Sequence, residues 1–431
     1  MKEILRIAIP SIISNLAIPL LGLADTAIVG HMGTANAIAA IAVGGLLFNI
    51  TYWLFGFLRM GTGGLTAQAC GAQDEAESMR ILVRSLALAL TISAVICLVQ
   101  HPVSQIALDR LHLTAEVRSD AETYFCILIW GAPAVLSLYG IHGWLLGMQD
   151  AKRVMVLSIV QNAVNIPASL CLVYLAKMQV AGIALGTLLA QYVALATAIA
   201  MLHRKYRHLF RRAYLRGWHE GKALKRLLRL NSDIFLRTLC LIAITYSFTA
   251  IGARYGTTTL AANALLMQFF IFFSYFMDGF AYAGEALTGR YLGQQDPARL
   301  HQTTARLFRI GIVCGALFSL LYIGVGGWVL EWLSNAADVV GCARTYLPWV
   351  ACIPLVGFSA FLLDGIFIGM TGTRPMLLTM LLSTALFLFI ALPTQLWTPS
   401  NHLLWVALIA HLGMRGVGLG LWLKRRGYRI S

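Results

Sequence analysis

Long apolar runs separated by short polar connections dominate this chain and limit its folds more than any other feature. A helix crosses a bilayer with about 20 mostly apolar residues. Such runs occur at about twelve places, near 5–30, 36–66, 79–99, 118–147, 153–176, 180–202, 231–253, 259–289, 303–330, 341–369, 375–394 and 402–423. The second, fourth, eighth and tenth are longer than a bilayer requires and are expected to tilt, bend or protrude. Composition closes the alternatives. Of 431 residues, 59% are hydrophobic and only 12% charged, against about 25% charged in a soluble domain. A soluble enzyme, a nucleic-acid module and a disordered chain are thereby excluded. The eight cysteines fall singly inside apolar runs, with no Cys-x-x-Cys pair or Cys/His cluster, and read as small buried hydrophobes.

Charge then sets the expected orientation. The net charge is +15. The first run follows Lys2 and Arg6 like a signal peptide, but it is too long for one and leads straight into more membrane sequence. It is read as an uncleaved first helix. With the N-terminus inside, the even-numbered connections and the tails hold about 25 Lys/Arg, among them Arg80, Arg84, Lys152, Arg153, Arg290 and Arg374. The opposite side holds about five: Arg110, Arg118, Lys177, Arg254 and Arg344. That asymmetry predicts a multi-pass membrane protein with both termini cytoplasmic. The segment from His203 to Arg229 carries about ten Lys/Arg against Glu220 alone. It is read as a linker lying on anionic lipid, with a regulatory or partner-binding segment as the alternative. The expected division is a six-helix lobe over 1–202, a basic cytoplasmic linker over 203–230 and a second six-helix lobe over 231–431.

The two lobes read as copies. Gly64-Leu65-Thr66 with Gly71 and Asp74 recurs as Ala286-Leu287-Thr288 with Gly293 and Asp296, an offset of about 222 residues. The same offset maps Ala121, Thr123 and Tyr124 onto Ala343, Thr345 and Tyr346, and Gly143, Gly147 and Met148 onto Gly365, Gly369 and Met370. With one residue of slip, Gly33-Thr34 matches Gly256-Thr257. Six spans per copy is an even number, so both copies enter from the same side. The expected fold is therefore an all-α integral membrane protein of two six-helix bundles related by a pseudo-twofold along the membrane normal.

Ionisable groups inside spans are costly and are functional candidates by default. Asp25, in Pro19-Leu20-Leu21-Gly22-Leu23-Ala24-Asp25-Thr26, has no basic residue within a turn or two. A lone acid in apolar surroundings is expected to bind a proton reversibly. Pro10 and Pro19 remove backbone donors from the same helix and let it bend. Run five offers Asn162 and Asn165, three apart, with Ser169 a turn further, and run six offers Thr187. These neutral groups are candidates to hold Asp25 in one state and release it in the other; interhelical glue is the competing reading. In the second half Asp278 and Glu285 share a helical face beside Phe269, Phe270, Phe272, Phe273, Tyr275 and Phe276. Of these, Phe273, Tyr275 and Phe276 are candidates to line a path for lipophilic cations. Asp364 falls opposite His142 in the repeat register, and Arg237 is expected to neutralise one of the carboxylates. Arg59 and Arg415 are expected to snorkel to the inner surface, and His411 to be packed. No phosphate-binding loop, nucleophile elbow or zinc-protease spacing occurs, so no enzymatic activity, metal or cofactor is expected and the driving force is assigned to an ion gradient.

Pro10-Ser11-Ile12-Ile13-Ser14-Asn15 followed by Pro19-Leu20-Leu21-Gly22-Leu23-Ala24-Asp25-Thr26-Ala27-Ile28-Val29-Gly30 resembles the first helix of the multidrug and toxic compound extrusion (MATE) family, in its DinF branch. The likeness continues through Leu58-Arg59-Met60, Gly143-Trp144-Leu145-Leu146-Gly147, Asp278-Gly279-Phe280-Ala281-Tyr282-Ala283 and Leu363-Asp364-Gly365-Ile366-Phe367-Ile368-Gly369. The resemblance implies a V-shaped antiporter that expels organic compounds as cations, usually protons in this branch, enter. It implies a coupling proton on Asp25 and a helix bend at Pro10. The family's fifth-helix Asp has Ser169 in its place here, whereas Asn165 and Thr187 match their positions; the family's seventh-helix Glu has no counterpart. The expectation is a monomeric, proton-coupled exporter of lipophilic, often cationic small molecules, surrounded by membrane lipids and without nucleic-acid partners. Alternatives are sodium coupling, a lipid-linked-sugar flippase of the same superfamily, and a non-transporting receptor or scaffold built round the basic segment.

Overall fold

Lipid offers the backbone no hydrogen-bond partners, so apolar runs of this length satisfy their own N–H and C=O groups as helices. A computed structural model describes residues 1–30, 35–109, 113–210, 214, 217–393 and 400–426. Gly33-Thr34, Arg110 and part of the basic segment lie outside the described residues. Among the described residues all regular structure is helical. The first half contains α1 (Lys2–Gly30), α2 (Ala35–Leu54), α3 (Phe57–Gly71), α4 (Glu75–Asp109), α5 (Ala115–Leu128), α6 (Ala132–Gly147), α7 (Ala151–Leu170) and α8 (Gln179–Tyr206). The second contains α9 (Gly221–Ala253), α10 (Thr257–Gly293), α11 (Pro297–Leu333), α12 (Ala337–Gly369), α13 (Thr373–Ala391) and α14 (Asn401–Arg426). Eleven spans are long and apolar enough to cross a membrane among the described residues, with α2–α3 and α5–α6 each forming one span. The 29-residue α1 stands beside them.

The chain forms two compact units, one of residues 13–228 and one of residues 1–12 with 229–431. In the first, α7 packs on α8, and α3 and α4 pack on α6; in the second, α12 is central, packed by α10, α11 and α14. α9 runs unbroken from Gly221, so the last part of the basic segment is already helix. The beginning of α1 belongs to the second unit because Gly279 of α10 has no side chain: a Cβ there would lie 3.0 Å from the Ala8 carbonyl oxygen. The hydroxyl of Tyr291 also donates to Glu3 at 2.8 Å.

The repeated glycines have a packing cause. A Cβ on Gly143 would collide with the Arg59 backbone and one on Gly147 would come 2.7 Å from the Gly63 carbonyl oxygen, so α6 meets α3 backbone to backbone. Gly365 and Gly369 do the same for α12 against Ala281 and Glu285 of α10. Small residues four apart are how membrane helices approach closely. Two residues past the last glycine of α3, α6, α10 and α12, the chain turns through a left-handed residue, with φ of 57° at Gln73, 60° at Gln149, 55° at Gln295 and 57° at Thr371. In each turn the next N–H bonds back to the helix, Asp74 to Ala69, Asp150 to Leu145, Asp296 to Tyr291 and Gly372 to Phe367, at 2.8–3.0 Å. This Schellman-type stop leaves Asp74 and Asp296 to cap the following helices.

The copies differ in continuity. The second long run breaks between α2 and α3 at Phe55-Gly56, and the fourth passes through a 3-10 turn at Ile129–Gly131 before Pro133. Their counterparts α10 and α12 run 37 and 33 residues without interruption.

Candidate functional site

α1 carries Asp25 into the interior of the first unit. Its carboxylate is 7% exposed, and Ile28 and Val29 on the same helix join an apolar core with Phe48, Tyr124, Phe125 and Ile183. Thr187 of α8 donates its hydroxyl hydrogen to Asp25 Oδ2 at 3.4 Å. The same hydroxyl accepts from Asn165 Nδ2 of α7 at 2.8 Å. Thr187 is thus oriented by Asn165, which leaves its one hydrogen for the carboxylate. Asp25 Oδ1 has no hydrogen-bond partner, nor does Asn165 Oδ1. Among the described residues no ion pair reaches Asp25. The carboxylate is therefore buried, held by one long neutral hydrogen bond and open on its other oxygen.

The remaining polar positions of α7 divide by what they touch. Asn162 does not reach Asp25: its amide donates to the Ala17 carbonyl of α1 at 2.9 Å. Ser169 is buried and its hydroxyl has no hydrogen-bond partner. It faces Gly186 of α8, where a Cβ would come 2.7 Å from the Ser169 nitrogen. It marks the tight α7–α8 contact and stands apart from the Asp25 chain of bonds. The sequence reading missed Ser158, whose hydroxyl is 2.5 Å from that of Ser14 on α1. The signal was available, because Ser158, Asn162 and Asn165 fall at i, i+4 and i+7 and so form one polar stripe along α7. That stripe seams α7 to α1. Pro10 and Pro19 both lie within α1, which is helical across them; Pro10 is buried and Pro19 exposed. Past Pro167 the end of α7 widens into a π-helical turn at Cys171–Leu175.

In the second unit Asp364 of α12 is 8% exposed. Its Oδ2 accepts from both Arg237 of α9 and Arg415 of α14. Arg237 is thus the neutralising group expected from the sequence. The expectation for Arg415 is corrected: it is 4% exposed and does not snorkel. A guanidinium reaches for water only when no carboxylate is nearer, and Asp364 supplies one. His411, a turn earlier on α14, is packed at 1% exposure. His142, which occupies the place of Asp364 in the first copy, has no partner on Nε2. Asp278 is half-buried within electrostatic range of Arg415, and Glu285 is buried where α10 meets α12.

The aromatic candidates are also corrected in part. Phe273 is fully buried, edge-on to Phe318 and Phe361 at 5.4 and 6.0 Å between ring centres, and lines no open path. Phe276 stacks on Phe318 at 4.9 Å. Phe269, Phe273, Phe276 and Phe280 recur at helical spacing, which turns them inward to bind α10 to its neighbours. Tyr275 lies off that stripe and is half-buried.

Known proteins give this geometry its context. The MatE family model matches residues 10–171 and again 234–393, so the two halves are copies of one family unit. DNA damage-inducible protein F of Escherichia coli (strain K12) is 37% identical over 431 residues, covering 99% of this chain and 93% of that protein. Crystal structures of a MATE protein in straight and bent conformations each match with a TM-score of 0.89 at 20% identity, covering 99% of this chain and 95% of theirs. With the family model matching twice and a relative matching end to end, the chain belongs to the MatE family of multi-pass membrane transporters, on the branch of DNA damage-inducible protein F (DinF).

Proposed function

We infer that this transporter is a proton-coupled antiporter that exports lipophilic, often cationic organic compounds across the bacterial inner membrane, with both termini cytoplasmic. The observation that carries the reading is the Asp25 carboxylate, buried and bonded to the neutral hydroxyl of Thr187, which Asn165 orients. A charge in such a place is expensive, and one bound proton removes it. The charged form keeps the hydrogen of Thr187. The neutral form has a hydrogen of its own to donate, and the bond to Thr187 loses its electrostatic component.

In the cycle we infer, a proton reaches Asp25 from the outer side. The weakened tie to Thr187 lets α1 move against α7 and α8, bending near Pro10 and Pro19. The space for substrate in the first unit shrinks and the substrate leaves outward. Proton release to the cytoplasm resets the helix. In support, the chain's division into its two units falls within α1 at residues 12–13, two residues past Pro10. A structural relative has been crystallised in both bent and straight conformations. With Ser169 standing apart, Asp25 is the one carboxylate of this network among the described residues, and coupling rests on it alone.

The unpartnered oxygens Asp25 Oδ1 and Asn165 Oδ1 favour one further reading, because hard oxygen donors also suit sodium. Purified protein in liposomes separates the two. Organic-cation efflux driven by an imposed pH gradient and lost in Asp25→Asn is the expected result. Efflux that tracks a sodium gradient instead assigns sodium. Full pH-driven efflux in Asp25→Asn overturns the role of Asp25.

A further inference from the structure

The basic segment between the span ending at Leu209 and the span beginning at Gly221 sits at a membrane surface by connectivity alone. Its described part is held in place. Arg84 of α4, 3% exposed, donates Nε to the Trp218 carbonyl at 2.6 Å and Nη2 to the Gly217 carbonyl at 3.3 Å. Its Nη1 bonds Glu77 at 2.6 Å. Gly217 accepts the geometry with φ of +79°. Tyr214 donates to Glu75 at 3.2 Å, and Arg226 to Gln68 at 3.3 Å. These bonds fasten the segment to the end of the first unit as a platform.

The platform presents an unusual mixture outward. Ala223 and Leu227 turn inward, whereas Trp218 is 40%, Leu224 37% and Leu228 45% exposed. Leu224 and Leu228 are one turn apart on the same face of α9 with the exposed Lys225 beside them, whereas Lys222 lies on the flank of Ala223 and Arg226, toward Glu77 and Arg84. Two leucines with an ammonium group beside them match a bilayer boundary: the leucines enter below the headgroups while the Lys225 stem carries its charge up to the phosphates. A soluble polyanion would satisfy Lys225 but leave the leucines in water.

We propose that the Trp218–Leu228 platform, pinned by Arg84, is a binding surface for anionic phospholipid headgroups, with Lys225 on a phosphate and Leu224 and Leu228 in the boundary beneath. The test uses the full chain in nanodiscs of equal phosphatidylcholine and phosphatidylglycerol, doped with a photoactivatable analogue of one or the other. Labelling of the 217–228 peptide is read by mass spectrometry. Phosphatidylglycerol labels this peptide preferentially, and K225Q lowers the preference by about fivefold, the equivalent of ~1 kcal/mol. High salt lowers it as well. Equal labelling by both lipids in the unaltered protein, or a preference that survives in K225Q, overturns the proposal. Displacement of the phosphatidylglycerol label by heparin, together with heparin binding to phosphatidylcholine-only discs that K225Q abolishes, assigns a nucleic-acid-like partner and also overturns it.

Discussion

Asp25 in the first unit and Asp364 in the second are buried almost equally, at 7% and 8% exposure. Asp25 has the hydroxyl of Thr187 at 3.4 Å and an oxygen with no partner. Asp364 has two guanidinium groups on one oxygen. Burial is the same; the partners are opposite. The two ion pairs of Asp364 tie α9, α12 and α14 together. Asp25, on a neutral hydroxyl, has no such ionic tie among the described residues. The helices show the same division, since α2–α3 and α5–α6 are interrupted where α10 and α12 are continuous. In the proposed cycle the first copy switches, while the ion pairs of the second hold its helices together.

The sharpest way to break that contrast is to neutralise each acid in turn. Asp25→Asn should reduce proton-driven efflux to background while leaving thermal stability unchanged or higher, because it removes a buried charge that has no ionised partner. Asp364→Asn should do the reverse. It strands two buried guanidinium groups, at a cost of about 3–5 kcal/mol, seen as a lower Tm in detergent with transport per folded molecule largely kept. If Asp364→Asn abolished efflux without loss of stability, the division of roles between the copies would be wrong.

A smaller effect is expected at the turn between α6 and α7. Asp150 accepts from Lys205 at 2.8 Å, from Tyr206 at 2.9 Å and from Arg153, which clasps the end of α8 to that turn. Burial pushes its carboxyl upward, but the bonds from Lys205, Arg153 and Tyr206 outweigh it and hold the group below the usual carboxylate range. Its stabilisation is therefore full above the unfolded value of about 4 and is lost as the pH falls through the lower folded value. Asp150→Asn should cost about 2 kcal/mol at neutral pH, and the gap from the unaltered protein should close only in strong acid. A gap that closed near pH 6 would contradict the clasp. The smallest change is expected for Asn162→Ala. Loss of one interhelical bond to Ala17 should lower stability by about 0.6 kcal/mol and leave the pH dependence of efflux unaltered. A shift of that pH profile would return Asn162 to the coupling network.

Much of the molecule is legible in the chain itself. Apolar length marks the spans. The duplication shows in Gly143 and Gly147 recurring as Gly365 and Gly369, and the helix contacts made by those glycines explain why they recur. Asp25, Asn165 and Thr187 are legible too, because polar groups are scarce in these runs and each stands out. Asn162 and Asn165 look alike in sequence, three residues apart on one face, yet one meets the α1 backbone and the other meets Thr187. Arg415 was misread because snorkelling and ion pairing have the same sequence signature, an arginine within reach of a helix end. Phe273 was misread because an aromatic stripe has the same spacing whether it lines a path or fills a contact.

The chain alone determined everything that depends on local solvent preference: which segments are helical, that they enter lipid, that they come in two copies, and which few groups are costly to bury. Tertiary structure decided how each cost is met. Pairing joins residues far apart in the chain, Arg237 and Arg415 to Asp364 and Thr187 to Asp25. No local pattern of hydrophobicity contains those distances. The physical reason is that burial energy is a property of each side chain with its neighbourhood, while ionic and hydrogen-bond compensation is a property of a pair.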